Sequence, residues 1–145
     1  MIAVDTNLLV YAHREDCEFH SRALVALKGL AEGDEPWAVP WPCVHEFLAI
    51  TTHPRIFLPP SPLGTAVAAV GVWIQAPTCR MLGEGPGYFD LLKALLAKSK
   101  ASGPMIHDAR IVALCLHHGV RELWTADRDF SRFSALRTRN PLVNE

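Results

Sequence analysis

The chain lacks an apolar run long enough to cross a membrane. The longest, Ala66 to Ile74, covers nine residues, whereas a spanning helix needs about 18 or more. No basic leader precedes the opening Met1-Ile-Ala-Val-Asp5, so a cytoplasmic protein is the expectation. No C-x-x-C pair is present: Cys17, Cys43, Cys79 and Cys115 stand singly among apolar neighbours and read as buried free thiols of a reducing compartment. The histidines form no zinc motif. His45-Glu46 begins like H-E-x-x-H, but position 49 is Ala, and His117-His118 fall late in a predicted helix, where they suit solvent or a cap. No G-x-x-x-x-G-K-[ST] occurs, and Gly83-Glu-Gly-Pro-Gly87 opens no G-x-G-x-x-G. Charge of either sign is nearly balanced, with a net charge of -1. A sequence-independent nucleic-acid binder is usually basic, so any action on nucleic acid has to come from local features. Repeats, low-complexity segments and long linkers are also missing, and 145 residues are read as one domain, 1–145.

What is present is an alternation of short apolar strands and amphipathic helices. Met1 to Asp5 reads as a buried strand ending in an acid, followed by a turn into a short helix. His20 to Ala31 has helical spacing at Ala23, Leu24, Leu27 and Leu30. Trp37 to Val39 is a second strand. Pro42 suits the first turn of a helix, which should stop near His53-Pro54 because a residue before proline avoids the helical region. Gly64 to Ile74 is expected to be a helix packed on several sides. Thr78 to Leu82 is a third strand, and Tyr88 to Lys100 and His107 to His118 are helices, the latter closed by Gly119. Glu122 to Ala126 is a fourth strand ending at a second acid, Asp127. The tail from Ser131 to Glu145 has room for a turn and an edge strand near Leu136 to Thr138. Strands separated by helices imply an α/β fold with a parallel sheet of four to five strands and helices on both faces.

In such sheets ligands bind outside the carboxyl ends of the strands. Asp5 and Asp127 both follow apolar strands. Either alone is equally a turn former or helix cap, but the pair shifts the balance toward function. Asp108 lies in the first turn of its helix, a position that the helix dipole alone justifies. Glu46 sits among Val44, Phe47, Leu48 and Ile50 with no Lys or Arg three or four residues away, so partial burial is expected. If the four acids converge, a cation is required, since two carboxylates about 5 Å apart repel by about 3 kcal/mol at an effective dielectric of about 20. Hard oxygen donors without a histidine or cysteine cluster favour Mg²⁺ or Mn²⁺ over Zn²⁺, and such ions act on phosphoryl groups. The spacing does not establish the convergence.

Five segments carry a family resemblance: V-D-T-N-L-L-V-Y-A at 4–12, W-P-C-V-H-E-F-L at 41–48, P-R-I-F-L-P-P-S-P at 54–62, I-H-D-A-R-I-V-A-L at 106–114 and T-A-D-R-D-F at 125–130. In this order, over essentially the whole chain, they resemble PIN-domain proteins, and more narrowly the VapC-type toxins of bacterial toxin–antitoxin pairs. The family's four acidic positions fall on Asp5, Glu46, Asp108 and Asp127. The resemblance implies a PIN-like three-layer fold, RNA hydrolysis with one or two Mg²⁺ or Mn²⁺ ions, a homodimer and a cognate antitoxin. It implies metal ligation by Asp5, Asp108 and Asp127, with Glu46 completing the site or positioning the nucleophile. Thr125 matches a supporting hydroxyl, Asn7 is a candidate for orienting water or phosphate, and Asp129 is either an outer ligand or a helix N-cap. Arg110, Arg128 and Arg132 are candidates for phosphate contacts, against a reading as solvated surface arginines. Leu63, Trp73 and Ile74 are candidates for a surface buried against another subunit or the antitoxin, against a reading as core. Two rivals are weaker. An aspartate-nucleophile phosphatase wants D-x-D after the first strand, but position 7 is Asn. A non-catalytic PIN-like RNA-binding or scaffold protein would be favoured by loss of an acid, and none is lost.

Overall fold

A computed structural model describes residues 1–143; residues 144 and 145, at the end of the expected tail, lie outside the described residues. The strands are β1 (Ile2–Val4), β2 (Trp37–Pro40), β3 (Cys79–Leu82), β4 (Glu122–Trp124) and β5 (Arg137–Arg139). The helices are α1 (Thr6–His13), α2 (His20–Glu32), α3 (Trp41–Thr51), α4 (Leu63–Gln75), α5 (Tyr88–Ser99) and α6 (Met105–His117), with a 3₁₀ turn at Arg128–Arg132.

The strands form one parallel sheet in the order β3-β2-β1-β4-β5. The chain builds outward from β1 through β2 to β3, then returns to the other side of β1 for β4 and β5. The strand order therefore reverses between β1 and β4, the place where a crevice opens at the carboxyl edge of such a sheet. All four residues of β2 are buried, so both faces of the sheet are covered there, as parallel pairing requires.

The core gathers around Val4, Leu8, Leu9, Trp37, Phe47, Ile111, Leu114 and Leu123, each buried almost completely. Each such side chain contributes about 1.5–3 kcal/mol by leaving water. Phe47 anchors α3 through edge contacts with the His13 ring at 5.2 Å and the Trp73 ring at 4.7 Å. That anchor holds the neighbouring Glu46 over the carboxyl end of β1.

Three expectations need correction. The fourth strand stops at Trp124 rather than Ala126, because residues 125–127 turn to enter the 3₁₀ segment. The edge strand lies one residue later than expected, at Arg137–Arg139. The apolar helix α4 is not packed on several sides: only Ala66 and Val70 are buried, while Leu63, Val67, Val72 and Ile74 are exposed. Hydrophobicity all round a helix means burial only when neighbours exist on every side, and none of the described elements covers the outer face of α4.

Candidate active site

Asp5 directly follows β1, and its amide continues the ladder by donating to the Trp124 carbonyl at 2.9 Å. Its carboxylate is buried, 4 % exposed, and does not cap α1. Instead Oδ2 accepts from Thr125 Oγ1 at 2.7 Å, and Oδ1 accepts from Cys43 Sγ at 3.6 Å. The Thr125 hydroxyl oxygen also accepts from the Asp127 amide at 3.0 Å, so one buried hydroxyl ties the acids after β1 and β4 together. Burial raises the Asp5 carboxyl from an ordinary 3.8 to about 6, with the nearby Glu46 charge adding to the rise and the Thr125 hydrogen bond opposing it.

Glu46 departs from expectation. It is exposed rather than partly buried, because the apolar residues on either side of it along α3 turn inward and leave it outside. A partner does exist, and it comes from another helix: Thr6 Oγ1 donates to Glu46 Oε2 at 2.9 Å. Asp108, half-buried in the first turn of α6, has its carboxyl raised by burial first, then by Asp127, Asp129 and Glu46. Asp127 is the N-cap of the 3₁₀ turn and accepts from the Asp129 amide at 2.9 Å. Asp129 is thus the capped residue and not the cap. Carboxylate oxygens of Asp108, Asp127 and Asp129 lie within 4.8 Å of one another.

The structure brings all four expected acids to one place. Asp5, Glu46, Asp108 and Asp127 line a single cavity of about 160 Å³, together with Thr6, Asn7, Ile50, Ile111 and Phe130. Among the described residues no Lys, Arg or His lines it. A cluster of carboxylates that includes one buried and one half-buried group, with no protein cation inside, calls for an external one. The donor set is all hard oxygen, which suits Mg²⁺ or Mn²⁺.

The remaining candidates divide. Asn7 lines the cavity, but its Oδ1 already accepts from the Ala126 amide at 3.3 Å, which fixes the turn carrying Asp127. Arg110 lies outside the cavity and pairs with Glu84 at 2.7 Å; Arg132 donates to the Met105 sulfur; Arg128 is exposed. Two contributors are missed by sequence reasoning. Thr6 reads there as part of a turn, and Cys43 as a buried free thiol. The signal for Cys43 is its place three residues before Glu46, on the same side of α3.

Comparison with known proteins identifies the family. Residues 2–136 match the PIN domain model. Ribonuclease VapC43 of Mycobacterium tuberculosis is 36% identical over 142 residues, covering 98% of this chain and 96% of that protein. Ribonuclease VapC48 of the same species is 30% identical over 137 residues, covering 94% of each. Among solved structures, VapBC2 from Rickettsia felis, crystallised with a fragment of promoter DNA, superposes with a TM-score of 0.70 at 15% identity, covering 97% of this chain and 98% of that one; this likeness speaks for the fold alone.

Proposed function

The chain belongs to the PIN-domain family, among the VapC-type ribonuclease toxins of toxin–antitoxin systems, and from that premise we propose that Asp5, Glu46, Asp108 and Asp127 form its metal-dependent hydrolytic site for RNA. The observation that carries this reading is the single cavity lined by four acids and, among the described residues, no basic side chain. Asp5, Asp108 and Asp127 are the residues that would hold Mg²⁺ or Mn²⁺, with Asp129 beside them as an outer carboxylate. When bound, such an ion lowers the pKa of a coordinated water and neutralises charge on the phosphate.

The protein's own groups have distinct parts. Thr125 orients the Asp5 carboxylate and the backbone of Asp127 at once. Thr6 holds the exposed Glu46 carboxylate in place, where it can accept a proton from an attacking water. Ile50, Ile111 and Phe130 wall the cavity with apolar surface, which strengthens the electrostatic interactions inside it.

A cognate antitoxin and a second copy of the chain complete the proposal. Leu63, Val67 and Ile74 recur at helical spacing on one exposed side of α4, and we assign that side to the contact between copies. Trp73 lies elsewhere, partly buried and packed on Phe47, in the lining of an apolar cavity of about 330 Å³ between α2 and α4, which suits an apolar segment of the antitoxin.

The test is cleavage of total RNA by purified protein with Mg²⁺ or Mn²⁺. Asp5→Asn should reduce cleavage to background and remove the heat of Mg²⁺ binding in calorimetry. Thr125→Val should raise the metal concentration needed by about tenfold. Wild-type protein that cuts no RNA with either ion would sink the reading.

A further inference from the structure

Beside the acidic cavity lies a second one of about 340 Å³, lined by Pro42, His45, Glu46, His107 and Arg110. Glu46 is common to both, so a strand leaving the acidic cavity over Glu46 enters this one directly. The two cavities differ in chemistry. Each of two site acids is preceded in the chain by a histidine that lines the neighbouring cavity: His45 before Glu46, and His107 before Asp108. Both histidines are exposed. Arg110, one helical turn after His107, adds a guanidinium.

Two further details, one in this cavity and one beside it, supply the means to hold a nucleotide. Arg110 is not fully engaged. Both of its bonds, from Nε at 2.9 Å and Nη2 at 2.7 Å, go to the same oxygen, Glu84 Oε1, so Nη1 remains without a bond among the described residues. The pair is also exposed, at 45% and 43%, and such pairs are readily exchanged for a better anion. Trp41, one turn before His45 on α3, is 38% exposed, although tryptophan usually buries more of its ring. The Trp41 and His45 rings stand 6.4 Å apart, tilted by 46°. His45 Nδ1 donates to the Trp41 carbonyl at 2.9 Å, which fixes the imidazole near the indole.

We propose that Trp41, His45, His107 and Arg110 form a nucleotide subsite for the single-stranded RNA segment next to the phosphate being cut. Arg110 takes a backbone phosphate, for which a guanidinium has the right geometry. The exposed faces of Trp41 and His45 stack a base, the usual way in which unpaired bases are held. His107, in the lining of the same cavity, donates to sugar or phosphate oxygens. The inference rests on the ribonuclease reading, and it concerns substrate binding rather than the chemical step.

The experiment uses the full chain in an Asp5→Asn background with Mg²⁺. Binding of a labelled oligoribonucleotide of about eight nucleotides, a length typical of single-strand sites, is followed by fluorescence anisotropy across a salt series. Trp41→Ala and Arg110→Ala should each weaken binding about tenfold. Arg110→Ala should also reduce the slope of log affinity against log salt by about 0.7, the share of one phosphate on a single strand, while Trp41→Ala leaves the slope alone. Glu84→Gln should tighten binding by releasing Arg110. With Asp5 restored, Trp41→Ala and Arg110→Ala should raise KM and leave kcat within about twofold. All three positions are exposed, and unchanged thermal unfolding checks that the variants fold. Undiminished affinity and KM in both Trp41→Ala and Arg110→Ala would overturn the subsite while leaving the ribonuclease reading intact. Oligonucleotide binding that depends on Trp41 and Arg110, in a protein whose wild type cuts no RNA, would keep the subsite and discard the ribonuclease reading.

Discussion

Asp5 carries an electrostatic cost that the rest of the protein tolerates. Its folded carboxyl is raised to about 6 from 3.8, which corresponds to about 3 kcal/mol at neutral pH. Below the lower value the group is protonated in both folded and unfolded chains, and no cost arises. Between the two, the folded state binds the proton more tightly, so stability falls as pH rises. Above about 6 the full cost is present. Chemical denaturation of metal-free protein should therefore show stability declining from pH 4 to pH 6 through this group. Asp5→Asn should remove that decline and be the more stable protein at pH 7.5 in EDTA. Saturating Mg²⁺ should reverse the order, because only the carboxylate gains from the ion. Wild type and Asp5→Asn that unfold alike in EDTA across this range would contradict the burial argument. Residue identity was legible at this site; residue environment was less so. Glu46 reads as partly buried from its apolar neighbours, yet it faces solvent, since a helix buries one side and not a continuous stretch.

At the scale of elements, α6 matters most, because it carries Asp108 and His107 and seals the core with Ile111 and Leu114. Its C-terminus is closed by paired reverse bonds: the Val120 amide donates to the Cys115 carbonyl at 2.9 Å and the Gly119 amide to the Leu116 carbonyl at 3.2 Å. This closure needs a left-handed residue, and Gly119 has φ +70°. Nothing lies within 4 Å of where a Cβ would be, so only the backbone conformation resists a side chain. Gly119→Ala should cost about 1 kcal/mol in unfolding free energy and leave RNA cleavage at permissive temperature unchanged. A much larger loss would mean that the turn packs against something else. Gly119 was readable as a helix stop from the apolar run before it. The 3₁₀ turn at Arg128–Arg132 was half legible: Asp129 offered itself as a helix N-cap, but the cap is Asp127, and five residues hold too little periodicity to fix the start.

Across the whole molecule, the strand order determines which acids meet. β1 and β4 lie at opposite ends of the chain, yet they are neighbours in the sheet. Their register pairs Ile2 with Glu122 and Val4 with Trp124, and this places Asp5 beside Thr125, 120 positions away in sequence. The same packing leaves one side of α4 uncovered. Val67→Glu on that side should shift the protein toward monomer in sedimentation velocity without lowering the unfolding midpoint, because Val67 is 51% exposed and has little core contact to lose. An unchanged sedimentation coefficient, in wild type that does self-associate, would assign the contact between copies to another surface.

The local pattern of residues determined the order of the strands and helices, the acids that follow two of the strands and the likeness to the PIN family, because periodicity, caps and motif order are written along the chain. The likeness implied that Asp5, Glu46, Asp108 and Asp127 meet and that Thr125 supports them, but only the tertiary structure gave the geometry: one cavity lined by all four, the Thr125 hydroxyl bonded to Asp5 and to the Asp127 amide, and Glu46 shared with a second cavity of histidines and arginine. Those facts depend on parallel pairing between distant strands and on the packing of α3 and α6 across the sheet edge. Contacts at such separations are set by burial of the whole core, which no local stretch of sequence contains.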